Sequence, residues 1–259
     1  MSKRNIQQRR RLIVERVNEQ GEVKVDDLAH YFNTSVVTIR KDLAELESNG
    51  LLLRRYGGAI PLPSELLMDD KNEPEVSNRK KMIAKAAATL IKDHHRLILD
   101  SGSTTAALLP ELSSKQGLVV MTNSLSIAAS LRELENEPVL LMTGGTWDPH
   151  SEAFQGKVAE QVLQSYDFDQ LFIGADGIDV DRGTTTFNEL FGLSQVMAQV
   201  AREVIVMAES DKVGRKMHNL ELAWDKISVF VTDHRLTEDQ QQQIEAHGVT
   251  VIRAACDAK

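Results

Sequence analysis

The residues best suited to chemistry sit just after apolar runs. Asp100-Ser101-Gly102-Ser103-Thr104-Thr105 follows Leu97 to Leu99, Thr122-Asn123-Ser124 follows the run from Leu118, and Thr143-Gly144-Gly145 follows Val139 to Met142. Gly174-Ala175-Asp176-Gly177 follows Leu171 to Ile173, and Glu209-Ser210-Asp211-Lys212 follows Val204 to Met207. Hydroxyls, glycines and carboxyls in this pattern suit hydrogen bonds to a polyhydroxylated molecule. The N–H groups and hydroxyls of Ser101 to Thr105, between a strand and a helix expected over Thr105 to Leu112, suit a phosphate or another anion. Lys212 would add a positive charge or a hydrogen bond to a sugar oxygen, and Asp176, Asn188 and Glu189 would hold hydroxyls. A single Ser/Gly/Thr run is more often a turn with a helix cap, and a lone Lys212 a surface lysine. Five polar strand ends of one kind favour a ligand crevice.

A second group lies between Asn33 and Leu46. With Ser35 as N-cap, Val36, Ile39, Leu43 and Leu46 recur at helical spacing and give the helix a buried side. At about 100° per residue the opposite side holds Val37, Lys41, Ala44 and Glu45, flanked by Thr38 and Arg40. No acid precedes Asp42 in this helix. A helix to be pressed against phosphates and base edges has reason to omit acids there.

Several other chemistries lack support. There is no G-x-G-x-x-G, Walker A or G-x-S-x-G pattern, which argues against nucleotide binding and serine hydrolysis. His94-His95 has no metal-ligand spacing and reads as a polar loop, and no cofactor or metal is expected. Trp147 reads as packing, with cover over a ligand as the alternative. The one cysteine, Cys256, cannot form an internal disulfide and points to a reducing, cytoplasmic compartment. No segment approaches the length of a membrane span.

With 259 residues, 42% of them hydrophobic and 26% charged, two soluble domains are expected. The net charge of −8 hides an asymmetry: residues 1–60 carry eleven Lys and Arg against eight acids. Leu12, Ile13, Val14 and Val17, joined by Ile6, predict a first helix ending at Gly21, its start crowded by Lys3, Arg4 and Arg9 to Arg11. Val23 to Val25 suits a short strand, and Asp26 to Phe32 a short helix burying Leu28, Ala29 and Phe32. Asn33-Thr34 turns the chain into the helix above. Leu51 to Ile60, around Gly57-Gly58, suits a hairpin wing that carries Arg54 and Arg55 toward phosphates or the minor groove. Pro61 to Ser77, with three prolines and five acids, reads as a linker in which Leu66 to Met68 docks on a neighbour or stays free. Beyond it, helical stretches alternate with apolar runs, the last at Ile227 to Val231 and Val249 to Ile252, as in a parallel sheet covered on both faces. All its polar strand ends then share one carboxyl edge, where such sheets bind ligands.

Val25-Asp26-Asp27-Leu28-Ala29, Thr38-Ile39-Arg40-Lys41-Asp42-Leu43 and Leu53-Arg54-Arg55-Tyr56-Gly57-Gly58-Ala59 resemble the DeoR family of bacterial sugar-metabolism regulators. The resemblance continues through Leu99 to Thr105, Met121 to Leu125, Gly144-Gly145, Phe172 to Ile178 and Ser210 to Gly214. Gly183-Thr184-Thr185-Thr186-Phe187-Asn188-Glu189 is closest to repressors of hexitol and N-acetylgalactosamine operons. The family more often has Arg at Lys41, His at Tyr56, and Asp-Ser-Ser-Lys at Glu209 to Lys212. The resemblance implies a winged helix-turn-helix domain over residues 1–60, a linker over 61–77 and an α/β sugar-phosphate sensor over 78–259. That sensor is similar in fold to ribose-5-phosphate isomerases and glucosamine-6-phosphate deaminases.

The expected function is a cytoplasmic repressor, not an enzyme, at least dimeric, that leaves double-stranded operator DNA when a sugar phosphate binds. Its DNA-binding residues are Ser35, Val37, Thr38, Arg40, Lys41, Arg54 and Arg55. Its effector residues are Asp100 to Thr105, Asn123, Ser124, Gly144, Gly145, Asp176, Asn188, Glu189 and Lys212. Two alternatives stand beside it: an activator, and a sugar-phosphate isomerase or deaminase with Glu189 as base and Lys212 as electrophile.

Overall fold

The computed structural model describes residues 3–21, 23–48, 52–55, 57–61, 77–149, 151–186, 188 and 191–255. The expected linker apart from its two ends, Tyr56, Phe187, Glu189 and Cys256 lie outside the described residues, as do the side chains of Ile6, Arg11 and Arg55. The chain divides into two compact units, Met1–Asn72 and Glu73–Lys259.

The first unit contains α1 (Lys3–Gln20), β1 (Val23–Lys24), α2 (Val25–Tyr31), α3 (Val36–Ser48), β2 (Leu53–Arg55) and β3 (Gly58–Ile60). Gly21, at φ +75°, ends α1. The three strands form an antiparallel sheet in the order β1-β3-β2, so the hairpin is the wing of a winged helix. Gly58 is needed there: a Cβ would lie 2.2 Å from the Val23 carbonyl oxygen. Ile13, Val17, Leu28, Ile39, Leu43, Leu46 and Leu52 make the core. Leu12, expected in the buried stripe, is instead exposed, because α1 turns Ile13 and Val17 inward and Val14 only partly.

The second unit begins with α4 (Asn78–Ala88). It continues through β4 (Arg96–Leu99), α5 (Ser103–Ala106), α6 (Leu109–Leu112), β5 (Val119–Thr122), α7 (Leu125–Arg132) and β6 (Val139–Met142). Then come β7 (Thr146–Asp148), β8 (Ala153–Gln155), α8 (Lys157–Leu163), β9 (Phe168–Ile173), β10 (Gly177–Asp179), β11 (Gly183–Thr186), α9 (Gly192–Val200) and β12 (Ala201–Met207). The last elements are β13 (Asn219–Ala223), β14 (Val229–Asp233), α10 (Glu238–Glu245) and β15 (Thr250–Ala254).

Seven strands form one parallel sheet in the order β15-β14-β12-β9-β4-β5-β6. The inner strands are buried on both faces, which is why their apolar runs are continuous, while the edge strands β6 and β15 are only partly buried. Leu97, Leu99, Ile205 and Met207 pack in one layer, and Ile98, Val204 and Val206 in the other. The chain steps outward from β4 through β5 to β6, then returns to the other side of β4 and continues outward from β9. The strand order therefore reverses between β4 and β9, and it is beyond the carboxyl ends at such a reversal that open parallel sheets bind ligands.

Two further features lie outside the expected pattern. β7 and β8 form a hairpin, and β10, β11 and β13 form a separate antiparallel sheet. The helix expected over Thr105 to Leu112 is broken into α5 and α6. Pro110, in the first turn of α6, has no N–H to give to the Ala106 carbonyl, so α5 cannot run on through it.

Candidate functional site

The helix read from sequence as facing DNA is α3. Ser35 accepts a hydrogen bond from the Thr38 N–H at 3.1 Å, and the two hydroxyls lie 2.8 Å apart. Ser35 and Thr38 thus cap the helix. Val37, 61% exposed, and the exposed Arg40 and Lys41 face outward. Among the described residues, neither cation has an ion-pair partner. On the wing, the Arg54 N–H donates to Glu47 at 2.9 Å, and its guanidinium lies 3.6 Å from the same carboxylate.

Not all of the N-terminal basic cluster is free. Arg9 Nε donates to Asp42 at 2.6 Å and Arg10 Nε to its other oxygen at 2.9 Å, both joining α1 to α3. Arg10 also lies 3.6 Å from Glu45, and Arg16 sits over the Tyr31 ring at 3.9 Å. These arginines hold the unit together rather than lining a basic face. The signal for the clamp was Asp42 itself, which follows Ile39 by three residues and so falls on the buried side.

In the second unit the parallel register brings the polar strand ends to one edge. Asn123 ties the ends of β4 and β5: its Nδ2 donates to Asp100 at 2.8 Å and its Oδ1 accepts from the Ser101 N–H at 3.0 Å. Asp176, after β9, accepts from Thr186 Oγ1 at 2.6 Å, and Thr186 in turn accepts from the Asn188 N–H at 3.0 Å. Asn219 Nδ2 donates to the Asn188 carbonyl at 3.1 Å.

Asp100 and Asp176 lie within each other's field together with Glu221 of β13, which sequence reasoning did not select. Burial pushes the Asp100 carboxyl up to about 6; hydrogen bonds from Asn123 and Ser101 oppose this, and the Asp176 charge adds to it. Burial likewise pushes Glu221 up to about 8, against a hydrogen bond from Ser194 at 2.8 Å and with help from the charges of Asp100 and Asp176. Three carboxyls are thus gathered near the ends of β4 and β9.

Directly after Asp100 comes the turn Ser101 to Ser103. Ser101 and Ser103 are half-buried and Gly102 is exposed. Lys80 of α4, 4% exposed, donates to Ser103 Oγ at 2.9 Å, placing a buried ammonium beside the turn. It is a second residue that sequence reasoning missed, since a lysine in a helical stretch gives no sign of burial. Lys212, half-buried, sits in the one-turn helix after β12. Its neighbour Asp211 is held by Arg79 at 2.8 Å and lies 3.6 Å from Arg235.

Other expected ligand residues serve local structure. Thr104 and Thr105 are buried, and Thr105 Oγ1 donates to the Gly102 carbonyl at 2.8 Å. Ser124 is buried as the N-cap of α7, accepting from the Ile127 N–H at 3.4 Å. Gly145 lets the β7–β8 hairpin close, since a Cβ there would lie 2.5 Å from the Gln155 carbonyl oxygen. Gly144, half-buried, has open space where a side chain would be. Trp147 meets Phe154 edge-on at 5.5 Å within that hairpin, a packing role. Among the described residues no cluster of His, Cys, Asp and Glu is placed to hold a metal ion, and no helix is long and apolar enough to cross a membrane.

Comparison with known proteins bears on both units. The DeoR-like helix-turn-helix domain matches residues 9–64, and the DeoR C terminal sensor domain matches residues 75–234. The chain belongs to the DeoR family. DeoR-family relatives include a putative aga operon transcriptional repressor of Escherichia coli O157:H7, 39% identical over 95% of this chain and 93% of that protein. The HTH-type transcriptional regulator GlpR of Haloferax volcanii is 34% identical over 95% of this chain and 96% of its own. Among solved structures, ribose-5-phosphate isomerase A of Methanocaldococcus jannaschii aligns with 53% of this DeoR-family chain and 54% of its own. Its TM-score is 0.38 at 20% identity, too distant to bear on activity.

Proposed function

We propose that this DeoR-family chain is a repressor of a sugar-utilisation operon, binding operator DNA through residues 1–60 and releasing it when a sugar phosphate occupies the crevice of residues 78–259. The reading is supported by the strand-order reversal between β4 and β9, whose ends lead directly into Asp100, Asp176 and the Ser101 to Ser103 turn backed by Lys80. A polyol phosphate has the matching polarity, hydroxyls along its length and an anion at its end. Asp100, Asn123, Asp176 and Asn188 orient the hydroxyls; Ser101, Gly102 and Ser103 receive the phosphate, with Lys212 beside them. The crevice binds without turnover. The aga operon named for the relative makes amino-hexose phosphates the first ligands to try, followed by hexitol phosphates.

On DNA, Arg40 and Lys41 reach base edges and phosphates while Val37 makes apolar contact. Arg54 and Arg55 meet the backbone from the wing. One small winged unit reads few base pairs, so a dimer on paired half-sites supports the needed discrimination.

The test is footprinting of the DNA upstream of the gene, with and without amino-hexose and hexitol 6-phosphates. A protected pair of half-sites that one phosphate clears supports the proposal. Protection unchanged by every phosphate would overturn the effector assignment, and absence of protection would overturn the repressor reading.

A further inference from the structure

The crevice is tied to the start of α4 by a set of contacts that the repressor reading does not itself require. Ser77 Oγ accepts from the Lys80 N–H at 3.3 Å and donates to Glu209 at 3.1 Å. Arg79 lies 3.1 Å from Glu209, 2.8 Å from Asp211 and 3.7 Å from Asp233. Glu209 and Asp211 follow β12, and Asp233 ends β14. Asp233 is itself fixed, accepting from the Ser210 N–H and Oγ, each at 2.9 Å, and from the Arg235 N–H at 3.0 Å. One residue further along α4, Lys80 holds Ser103 at 2.9 Å.

Two consecutive side chains on one helical turn therefore grip different crevice loops, Arg79 the loop that carries Lys212 and Lys80 the turn assigned to the phosphate. The same turn is where the chain enters from the 61–77 segment that leads to the DNA-binding unit. A helix moves as a unit, so an anion that draws Lys80 or Lys212 toward itself shifts Arg79 against its carboxylates. Tightly packed ion pairs of this kind re-form in discrete arrangements rather than stretching continuously. Burial works against the Arg79 charge, but the hydrogen bond to Asp211 and the carboxylates of Glu209, Asp211 and Asp233 outweigh it and hold the guanidinium charged.

We propose that Arg79 is a positioning residue for the effector response: it couples occupation of the crevice to the chain segment entering α4, without itself contacting the ligand. The inference rests on the crevice being the sugar-phosphate site. Glu209, where the family more often has Asp, is the anchor of this coupling, holding both Ser77 and Arg79.

The test uses the full chain and two readouts. Calorimetry measures binding of galactosamine 6-phosphate, N-acetylgalactosamine 6-phosphate and glucitol 6-phosphate; anisotropy measures operator affinity with and without whichever binds. For Arg79→Ala, ligand affinity should stay within about threefold of wild type while the ligand-induced change in operator affinity falls toward unity, the coupling being a free energy separate from either binding step. Arg79→Lys should restore part of the response, and Glu209→Gln, which keeps the side-chain size, should weaken it in the same direction. Melting curves confirm folding of each variant, and Glu209→Gln supplies the test if Arg79→Ala is unfolded. An undiminished operator response with normal ligand binding in both variants overturns the inference alone. Loss of response only in proportion to lost ligand affinity makes Arg79 a ligand contact and also overturns it. A wild-type chain that binds none of the three phosphates overturns the crevice reading and this inference with it.

Discussion

Glu221 has a consequence that can be measured without any ligand. Its carboxyl, at about 8, and that of Asp100, at about 6, both stand above the unfolded values near 4. Between those limits the folded chain holds protons that the unfolded chain has lost, so stability falls as pH rises through the window and the penalty is absent below it. Glu221→Gln removes the larger of the two. Its melting temperature should exceed that of wild type at about pH 8.5, and the gain should shrink toward zero near about pH 4; a gain equal at all pH values would point to packing instead. On α3, Arg40→Ala should cost about 1–3 kcal/mol of specific operator binding with little change in melting, and unchanged affinity would contradict the recognition-helix assignment. Arg54→Ala should lower affinity for all sequences alike and reduce the salt slope by about 1. A loss confined to one base position would mean that the wing reads sequence. Asp100 and Asn123 were legible because they follow apolar runs directly. Glu221 and Lys80 were not, because each acquires its role from partners far away in the chain: Glu221 answers to Asp100, 121 residues earlier, and Lys80 to Ser103, 23 residues later.

The elements divide along similar lines. The inner strands of the parallel sheet announced themselves by apolar runs, because burial on both faces leaves no room for alternation. Strands β7, β8, β10 and β11, at three or four residues each, carry no apolar run and are held by hydrogen bonds that sequence does not reveal. Buried Thr184 to Thr186 in β11 look polar in sequence, yet their hydroxyls donate to Glu221 of β13, the Arg215 carbonyl and Asp176 in turn. The clamp between α1 and α3 makes a prediction at this scale. Asp42→Ala leaves Arg9 buried without its carboxylate, and removal of one partner of a buried pair typically costs about 3–5 kcal/mol. Urea unfolding should register such a loss, whereas a change below about 1 kcal/mol would mean that the pair behaves as an exposed surface bridge.

At the scale of the whole molecule, charge is distributed by task. The −8 net charge would repel DNA if it were spread evenly, yet residues 1–60 carry a net +3 against −11 for the remainder, and Arg40 and Lys41 stand exposed on α3. A crevice in one unit can control a surface in the other only if the effector binds the DNA-bound and free forms with different affinity. That difference must appear equally in both directions, since the factor by which effector weakens DNA binding is the factor by which DNA weakens effector binding. The decisive measurement is operator binding by fluorescence anisotropy at fixed salt, across a titration of amino-hexose and hexitol 6-phosphates, paired with effector binding in the presence and absence of operator. One phosphate should weaken operator binding about 5- to 150-fold, the range of typical couplings, with the reciprocal factor the same. Tight operator binding that no phosphate alters, while one of them still binds the chain, would contradict it.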